Sequence, residues 1–174
     1  MLQNLMSPMI YRGISHLATP AVKLWLLHRR NIGKENASRL RERFGHAPYQ
    51  RPAGVLIWAH AASIGEALSI LSISQRLEEE GFSILITSGT VTSAEILKER
   101  LPKSIIHQFV PVDLPFSVKR FIDHWRPNLA IFVESEFWPN LILETTSRSV
   151  PMILVNARMS ERSARWWKYM PKLI

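Results

Sequence analysis

The sequence predicts an α/β fold, and two observations support it. From residue 54 onward, five apolar runs of four to six residues alternate with helical stretches of about ten to fifteen residues, which is typical of βαβ units and a parallel sheet. The apolar runs are nearly continuous, as expected for strands that are covered on both faces. With right-handed crossovers, these units give a Rossmann-like parallel sheet with helices on both faces.

The elements follow one another at short intervals. The predicted strands cover 55–60, 83–87, 105–110, 129–133 and 152–155. A helical stretch ends near Glu80, and the later helices are predicted at 93–100, 116–125 and 138–147. Ser93, or Thr92 with Glu95 as its partner, is the expected cap of the helix at 93–100. Because ligands of such sheets gather at the carboxyl ends of the strands, the residues after each strand are the candidates for chemistry.

Length and composition restrict the class of protein. The chain has 174 residues, of which 47% are hydrophobic, so it suits one domain with a packed core and a short appendage. It has no cysteine. Disulfides, thiolate catalysis and cysteine-ligated zinc are therefore excluded.

The positive charge is concentrated near the N-terminus. The formal net charge is +8, and residues 1–60 hold nine Lys or Arg and two acids, which gives +7 for that part. A basic region of this kind attracts anions such as phospholipid headgroups, phosphorylated substrates or nucleic acid.

The first thirty residues are predicted to be a membrane-associating segment. No apolar run reaches the roughly 20 residues of a transmembrane helix, and a signal peptide fits poorly because the start lacks a basic region. Residues 21–30 place Trp25 and leucines beside Arg29 and Arg30, a pattern that suits a helix lying in the membrane interface. The alternative is an N-terminal helix that packs on its own domain. Residues 31–53 would form a basic connecting segment and 54–174 the Rossmann-like domain.

Two carboxylates stand where a predicted strand turns into a helix. Glu66 follows the first strand and Glu134 follows the fourth. Ser63 and Glu66 also fit a capping box, and Glu134 fits a carboxylate favoured by a helix N-terminus, so spacing alone leaves these alternatives open. Beside Ser/Thr-rich turns and Arg158, the two glutamates form a candidate acid/base site for sugar chemistry.

Other kinds of site have no support in the sequence. Gly65 and Gly89 stand alone, and no GxGxxG or Walker motif occurs. No HxxxH or paired-aspartate pattern indicates a metal site, so no metal is predicted. His60, His107 and His124 are isolated and are expected to be structural.

Several stretches of the sequence resemble the transferases of 3-deoxy-manno-octulosonic acid (Kdo) that act on lipid A in Gram-negative bacteria. They occur in the family's order and spacing, at residues 42–45, 60–66, 111–115, 134–140 and 156–163. The segments Trp138-Pro139-Asn140 with the preceding glutamate, and Asn156-Ala157-Arg158 with Ser160, are the most specific. The resemblance implies the N-terminal, acceptor-binding half of a GT-B glycosyltransferase.

The resemblance also implies a reaction and its residues. Such an enzyme moves Kdo from the donor CMP-Kdo to a lipid A precursor, lipid IVA, in lipopolysaccharide core biosynthesis, with inversion and without a cofactor or an essential metal. Glu66 would be the general base, and Glu134 would stabilise the transition state. Acceptor-binding roles are implied for six residues, namely Ser63, Gly65, Thr90, Thr92, Asn156 and Arg158.

The expected partners are a phosphorylated lipid A precursor, an anionic membrane surface at the cytoplasmic face of the inner membrane, and CMP-Kdo. The donor would bind to a C-terminal nucleotide-binding domain that is absent from this chain, so the chain is expected to be inactive alone. An alternative is a non-catalytic peripheral membrane or lipid-binding module with a Rossmann-like domain. A nucleic-acid partner is not expected, since no array of stacking aromatic residues or helix-turn-helix pattern accompanies the basic residues.

Overall fold

The computed structural model describes residues 8–134 and 138–157. Two helices and a short 3-10 helix precede a regular alternation of strands and helices. In chain order these elements are α1 (Pro8–Leu17), α2 (Thr19–Asn31), the 3-10 helix (Leu40–Phe44), β1 (Leu56–Ala61), α3 (Ile64–Glu79), β2 (Ser83–Ser88), α4 (Val91–Arg100), β3 (Ile106–Phe109), α5 (Pro115–Trp125), β4 (Leu129–Val133), α6 (Pro139–Thr146) and β5 (Met152–Val155).

The five strands of the described chain form one parallel sheet in the order β3-β2-β1-β4-β5. The central strand β1 pairs with β2 on one side and with β4 on the other, so that Ile57 lies opposite both Ile84 and Leu129. Alternating strands and helices with this order are the doubly wound arrangement that the sequence predicts. The predicted α/β fold class is therefore confirmed.

The sheet separates two apolar clusters, one on each face. On one face, Trp58 of β1 packs with residues of α5 such as Phe121 and Trp125. On the other, Ile84 and Ile86 of β2 pack with residues of α3 and α4. All six residues of β1 are buried, which explains why this strand is apolar apart from His60.

The two buried tryptophans of this core each find an acceptor for the indole N–H. Trp58 Nε1 donates to Thr87 Oγ1 at 2.9 Å, and Trp125 Nε1 donates to Gln108 Oε1 at 2.7 Å. A buried indole N–H without a partner would destabilise the fold. These bonds explain why polar Thr87 and Gln108 are tolerated with no exposed surface.

The element boundaries agree with the sequence prediction to within one or two residues, and β4 and β5 match it at both ends. The cap of α4 is different. Thr90 has an extended backbone, and its Oγ1 accepts a hydrogen bond from the Ser93 amide at 3.1 Å. Thr92 and Ser93 already belong to the helix, so the prediction that one of them is the cap was wrong.

The first N-terminal helix contacts the domain that follows. Tyr11 of α1 donates a hydrogen bond to Asp113, and Arg12 forms an ion pair with Glu144 of α6. Leu26 of α2 is fully buried. None of the helices within residues 8–134 and 138–157 is long and apolar enough to cross a membrane.

The same two helices also expose large apolar side chains. Met9 and Leu17 are 82% and 84% exposed, and Leu24 and Trp25 are 68% and 53% exposed. The two expectations for this segment, packing on the domain and presenting an apolar surface, therefore do not exclude each other.

Candidate functional site

The candidate site lies at the carboxyl edge of the sheet, between β1 and β4. The chain runs from β1 outward to β2 and β3, and then returns to β4 and β5 on the other side. At such a reversal the loops after the two central strands diverge and leave a crevice for a ligand. His60 lies opposite Phe132, so Ala62 and Glu134, two residues later, directly follow the ends of these neighbouring strands.

Glu66 and Ser63 cap the start of α3 much as their spacing predicts, although the Glu66 carboxylate binds the amide before the N-cap residue Ser63. The Glu66 amide donates to Ser63 Oγ at 3.3 Å, and its carboxylate Oε2 accepts from the Ala62 amide at 2.8 Å. Glu66 is only 7% exposed. Its second oxygen, Oε1, accepts no hydrogen bond from the residues that the structure describes. The cap therefore orients the carboxylate through Oε2.

Glu134 has a strained backbone at the end of β4. Its φ is +61°, and Asn156, at the end of β5, has a φ of +50°. The Glu134 amide donates to Val155 O at 3.0 Å, and Asn156 Nδ2 donates to Glu134 Oε1 at 3.3 Å. It is unusual for two neighbouring residues other than glycine to have left-handed backbone conformations, and such strain occurs often at functional sites.

Glu134 was predicted to be a carboxylate favoured by the N-terminus of the helix that follows it, and this prediction was wrong. Helix α6 begins at Pro139 and has no acidic residue in its first turn, which is where the dipole acts. The structure thus joins Glu134 with Asn156, two of the residues that the resemblance singles out.

The predicted acceptor-binding residues Ser63, Gly65, Thr90 and Thr92 are exposed at the starts of α3 and α4. An added Cβ at Gly65 would meet no atom within 4 Å, so space is open beside this glycine. A Cβ at Gly89 would lie 3.2 Å from Ala62 O, which shows that the loops after β1 and β2 touch. Arg158 lies outside the described residues, and its role stays a prediction.

Arg43 links the loop after β2 to the loop after β3. It was not among the candidate residues predicted from the sequence. Its guanidinium donates to Gly89 O at 2.6 Å and to Val110 O at 3.0 Å. It also pairs with the buried carboxylate of Glu35, with Nε 3.0 Å from Oε2. The only signal in the sequence was its place in the stretch 42–45.

His107 is structural, as expected. Its Nε2 lies 2.9 Å from Ser88 Oγ, and its Nδ1 lies 3.1 Å from Arg39 Nη2. Burial, helped by the Arg39 charge, lowers the pKa of His107 to about 3. Since the arginine can only donate, Nδ1 accepts and the ring is neutral with its proton on Nε2.

Some of the basic residues in 1–60 form ion pairs or hydrogen bonds with the domain. Four of the nine cationic residues bind carboxylates or backbone carbonyls there, namely Arg12, Arg39, Arg43 and Arg51, while Arg29 binds Glu35. Lys23, Arg30, Lys34 and Arg41 form no ion pair within the described residues. The charge left for external anions is therefore smaller than the sequence count suggests. Within the same residues, no cluster of three or more His, Asp or Glu could hold a metal ion.

Comparison with known proteins identifies a family. A family profile described as 3-deoxy-D-manno-octulosonic-acid transferase (kdotransferase) matches residues 38–174. A probable mitochondrial 3-deoxy-D-manno-octulosonic acid transferase of Arabidopsis thaliana is 41% identical over 160 residues, covering 91% of this chain and 36% of that protein. The 3-deoxy-D-manno-octulosonic acid transferase of Rickettsia bellii is 40% identical over 163 residues, covering 91% and 38%.

Among solved structures, MurG of Acinetobacter baumannii aligns with a TM-score of 0.48 and 10% identity over 59% of this chain and 34% of that chain. The chain spans somewhat more than a third of the length of the two curated relatives.

Proposed function

Because the chain belongs to the 3-deoxy-D-manno-octulosonic-acid transferase family, we propose that it forms the acceptor-side half of a GT-B glycosyltransferase. The enzyme would move Kdo from CMP-Kdo to a phosphorylated lipid A precursor, lipid IVA. The observation that supports this most strongly is the placement of Glu134 directly after β4 and of Glu66 in the first turn of the helix that follows β1, the strand paired with β4. The chain alone would be inactive, because the donor would bind to another domain.

Glu66 would act as the general base. As the acceptor hydroxyl oxygen attacks the anomeric carbon of Kdo, its proton would pass to Glu66 Oε1, the oxygen that the capping box leaves available. The bond from the anomeric carbon to the phosphate oxygen would break, and its electron pair would leave with CMP. Assistance of this kind is worth roughly 10²–10⁴-fold in rate.

Glu134 would stabilise the transition state. Glycosyl transfer places positive charge on the sugar ring, and a fixed carboxylate nearby lowers the energy of that state. The bond from Asn156 Nδ2 to Glu134 Oε1 limits the rotation of the carboxylate. The strained backbone at both residues is consistent with a site that is held for chemistry.

The N-terminal helices would bring the domain to the bilayer at the cytoplasmic face of the inner membrane. The exposed side chains of Leu17, Leu24 and Trp25 offer apolar contact, and Lys23 and Arg30 add positive charge for anionic headgroups. An acceptor whose acyl chains stay in the membrane could then reach the carboxyl edge of the sheet. These same residues also favour the second candidate function, a non-catalytic lipid-binding module.

The test is Glu66→Gln in the full-length enzyme that carries this domain. A glutamine oxygen can still accept the Ala62 amide, so the cap and the stability should be kept while the base is lost. We expect transfer from CMP-Kdo to lipid IVA to fall by roughly 10²-fold or more. Glu79→Gln, the same change at the exposed end of α3, is the matched control and should leave the rate unchanged. Transfer by Glu66→Gln within a few-fold of wild type would contradict the catalytic role and favour a non-catalytic module.

A further inference from the structure

Arg43 is a buried arginine of the 3-10 helix that joins two loops of the carboxyl edge. The residue is only 7% exposed. Its Nη1 donates to Val110 O at 3.0 Å, directly after β3, and its Nη2 donates to Gly89 O at 2.6 Å, directly after β2. Its backbone is held at the same place, because the Arg43 oxygen accepts from the Val112 amide at 2.9 Å. A single side chain therefore ties both loops to the 3-10 helix.

A buried carboxylate fixes the direction of this guanidinium. Glu35, in the segment after α2, is 5% exposed, and its two oxygens accept from Arg43 Nε at 3.0 Å and from Arg43 Nη2 at 3.2 Å. Arg29 of α2 donates to the same carboxylate at 2.8 Å. A bidentate pair of this kind is rigid, because the planar arginine fork matches the two carboxylate oxygens. The other N–H groups of Arg43 therefore point in set directions, toward the two loop carbonyls.

The loop after β2 in turn lies against the loop after β1. The two strands pair up to their last residues, and a Cβ added at Gly89 would lie 3.2 Å from Ala62 O and 3.7 Å from Ala62 Cα. This approach is tighter than ordinary van der Waals contact, so the absence of a side chain at Gly89 allows it. The Ala62 amide is the donor that binds Glu66 Oε2 at 2.8 Å. A continuous series of contacts therefore leads from the Arg43 guanidinium to the carboxylate of Glu66.

We propose that Arg43 is a positioning residue for the transfer reaction, which holds the loop after β2 against Ala62 and so keeps the Glu66 carboxylate in place. The proposal rests on the role of general base proposed above for Glu66. Without the arginine fork, the Gly89 carbonyl would lose its donor, and the loop would have room to move away from Ala62. The Ala62 amide, which orients Glu66, would then shift. A misplacement of about 1 Å in a catalytic group can cost about 100-fold in rate.

The experiment compares Arg43→Lys with Arg51→Lys in the full-length enzyme. Lysine in place of Arg43 keeps a cation beside Glu35, so the buried carboxylate is not left unpaired, but its single nitrogen cannot reproduce the fork. Arg51 is the matched control, because it also donates to loop carbonyls, Trp125 O at 2.8 Å and Gly54 O at 3.0 Å, at the opposite edge of the sheet. We expect kcat to fall about 10–100-fold in Arg43→Lys and to stay within about twofold of wild type in Arg51→Lys.

A second comparison separates positioning of the base from a general loss of stability. Because residues that act as a unit are not additive, Arg43→Lys should cost less than about twofold in an enzyme that already carries Glu66→Gln. A purely structural change would slow both enzymes by the same factor. Gly89→Ala gives the same readout where Arg43→Lys folds poorly, since its methyl group would push on Ala62. For Gly89→Ala we expect kcat to fall about 3–10-fold with Glu66 present and less than about twofold with Glu66→Gln.

Equal losses with and without Glu66 would overturn the positioning role. So would a kcat in Arg43→Lys that is no lower than in Arg51→Lys. A rise in the acceptor KM with unchanged kcat would overturn it as well, and would assign the loop after β2 to acceptor binding through Thr90. Each of these results leaves the proposed function intact. Transfer by Glu66→Gln within a few-fold of wild type would instead overturn the proposed function, and the inference with it.

Discussion

Gly45→Ala tests how tightly the 3-10 helix packs on α5. Gly45 caps the 3-10 helix with φ at +78°, and a Cβ added there would lie 2.0 Å from Ser117 O and 3.1 Å from Phe121 N. Both neighbouring atoms belong to the backbone of α5 at residues that are fully buried, so neither can move aside easily. The left-handed conformation alone costs an alanine about 1–2 kcal/mol, and forced overpacking adds about 1–3 kcal/mol.

Gly33→Ala separates these two costs. Gly33 has nearly the same φ, +74°, but an added Cβ meets no atom within 4 Å. We therefore expect about 1–2 kcal/mol of destabilisation for Gly33→Ala and about 2–5 kcal/mol for Gly45→Ala. Urea unfolding of each purified variant, followed by circular dichroism, gives the free energies of unfolding. Equal losses for the two variants would refute the close approach of Gly45 to α5.

Two further predictions concern pH and membranes. The pKa of His107 is lowered to about 3, so between pH 6.5 and 3 only the unfolded chain binds this proton. The free energy of unfolding should therefore decrease as the pH is lowered through this range, by up to about 1.4 kcal/mol per pH unit. The variant His107→Asn should lack this contribution in urea titrations across that range, and an unchanged slope would contradict the neutral ring. Leu17→Glu with Leu24→Glu should weaken sedimentation with anionic vesicles at least about tenfold, with little loss of stability because both side chains are exposed. Ile73→Glu, on exposed α3 surface, is the control, and equal binding by both variants would count against the membrane surface.

The sequence alone predicts the fold because the signals that determine it are local. Each strand such as 129–133 is a short apolar run beside a helical stretch, and the right-handed crossover rule converts that order into a parallel sheet. The same rule places Glu66 and Glu134 at one edge before any coordinates are known. The cap of α4 was mispredicted because Thr90, Thr92 and Ser93 all carry suitable hydroxyls, and only backbone conformation decides among them.

The hydrogen bonds between distant segments could not be predicted because their partners are far apart in the sequence. Asp113 caps a helix 27 residues later, and Arg43 binds the backbone oxygen of Gly89, 46 residues away. In both cases the acceptor or the donor is a backbone group, which every residue possesses. Residue type therefore carries no signal for the partner. The basic residues of the N-terminal region were assigned to external anions for the same reason, although several bind carbonyls inside the domain.

The two interpretations of Glu66 show why spacing left the question open. A capping role and a catalytic role compete only where a side chain has one functional atom, and a carboxylate has two. In the structure Oε2 accepts the Ala62 amide at 2.8 Å, while Ser63 fixes the backbone of the same helix start. The capping bond removes the rotational freedom that a free glutamate would lose on reaching the transition state. The cap is therefore a support for the proposed base, and substitution by glutamine, which keeps the cap and loses the base, separates the two roles.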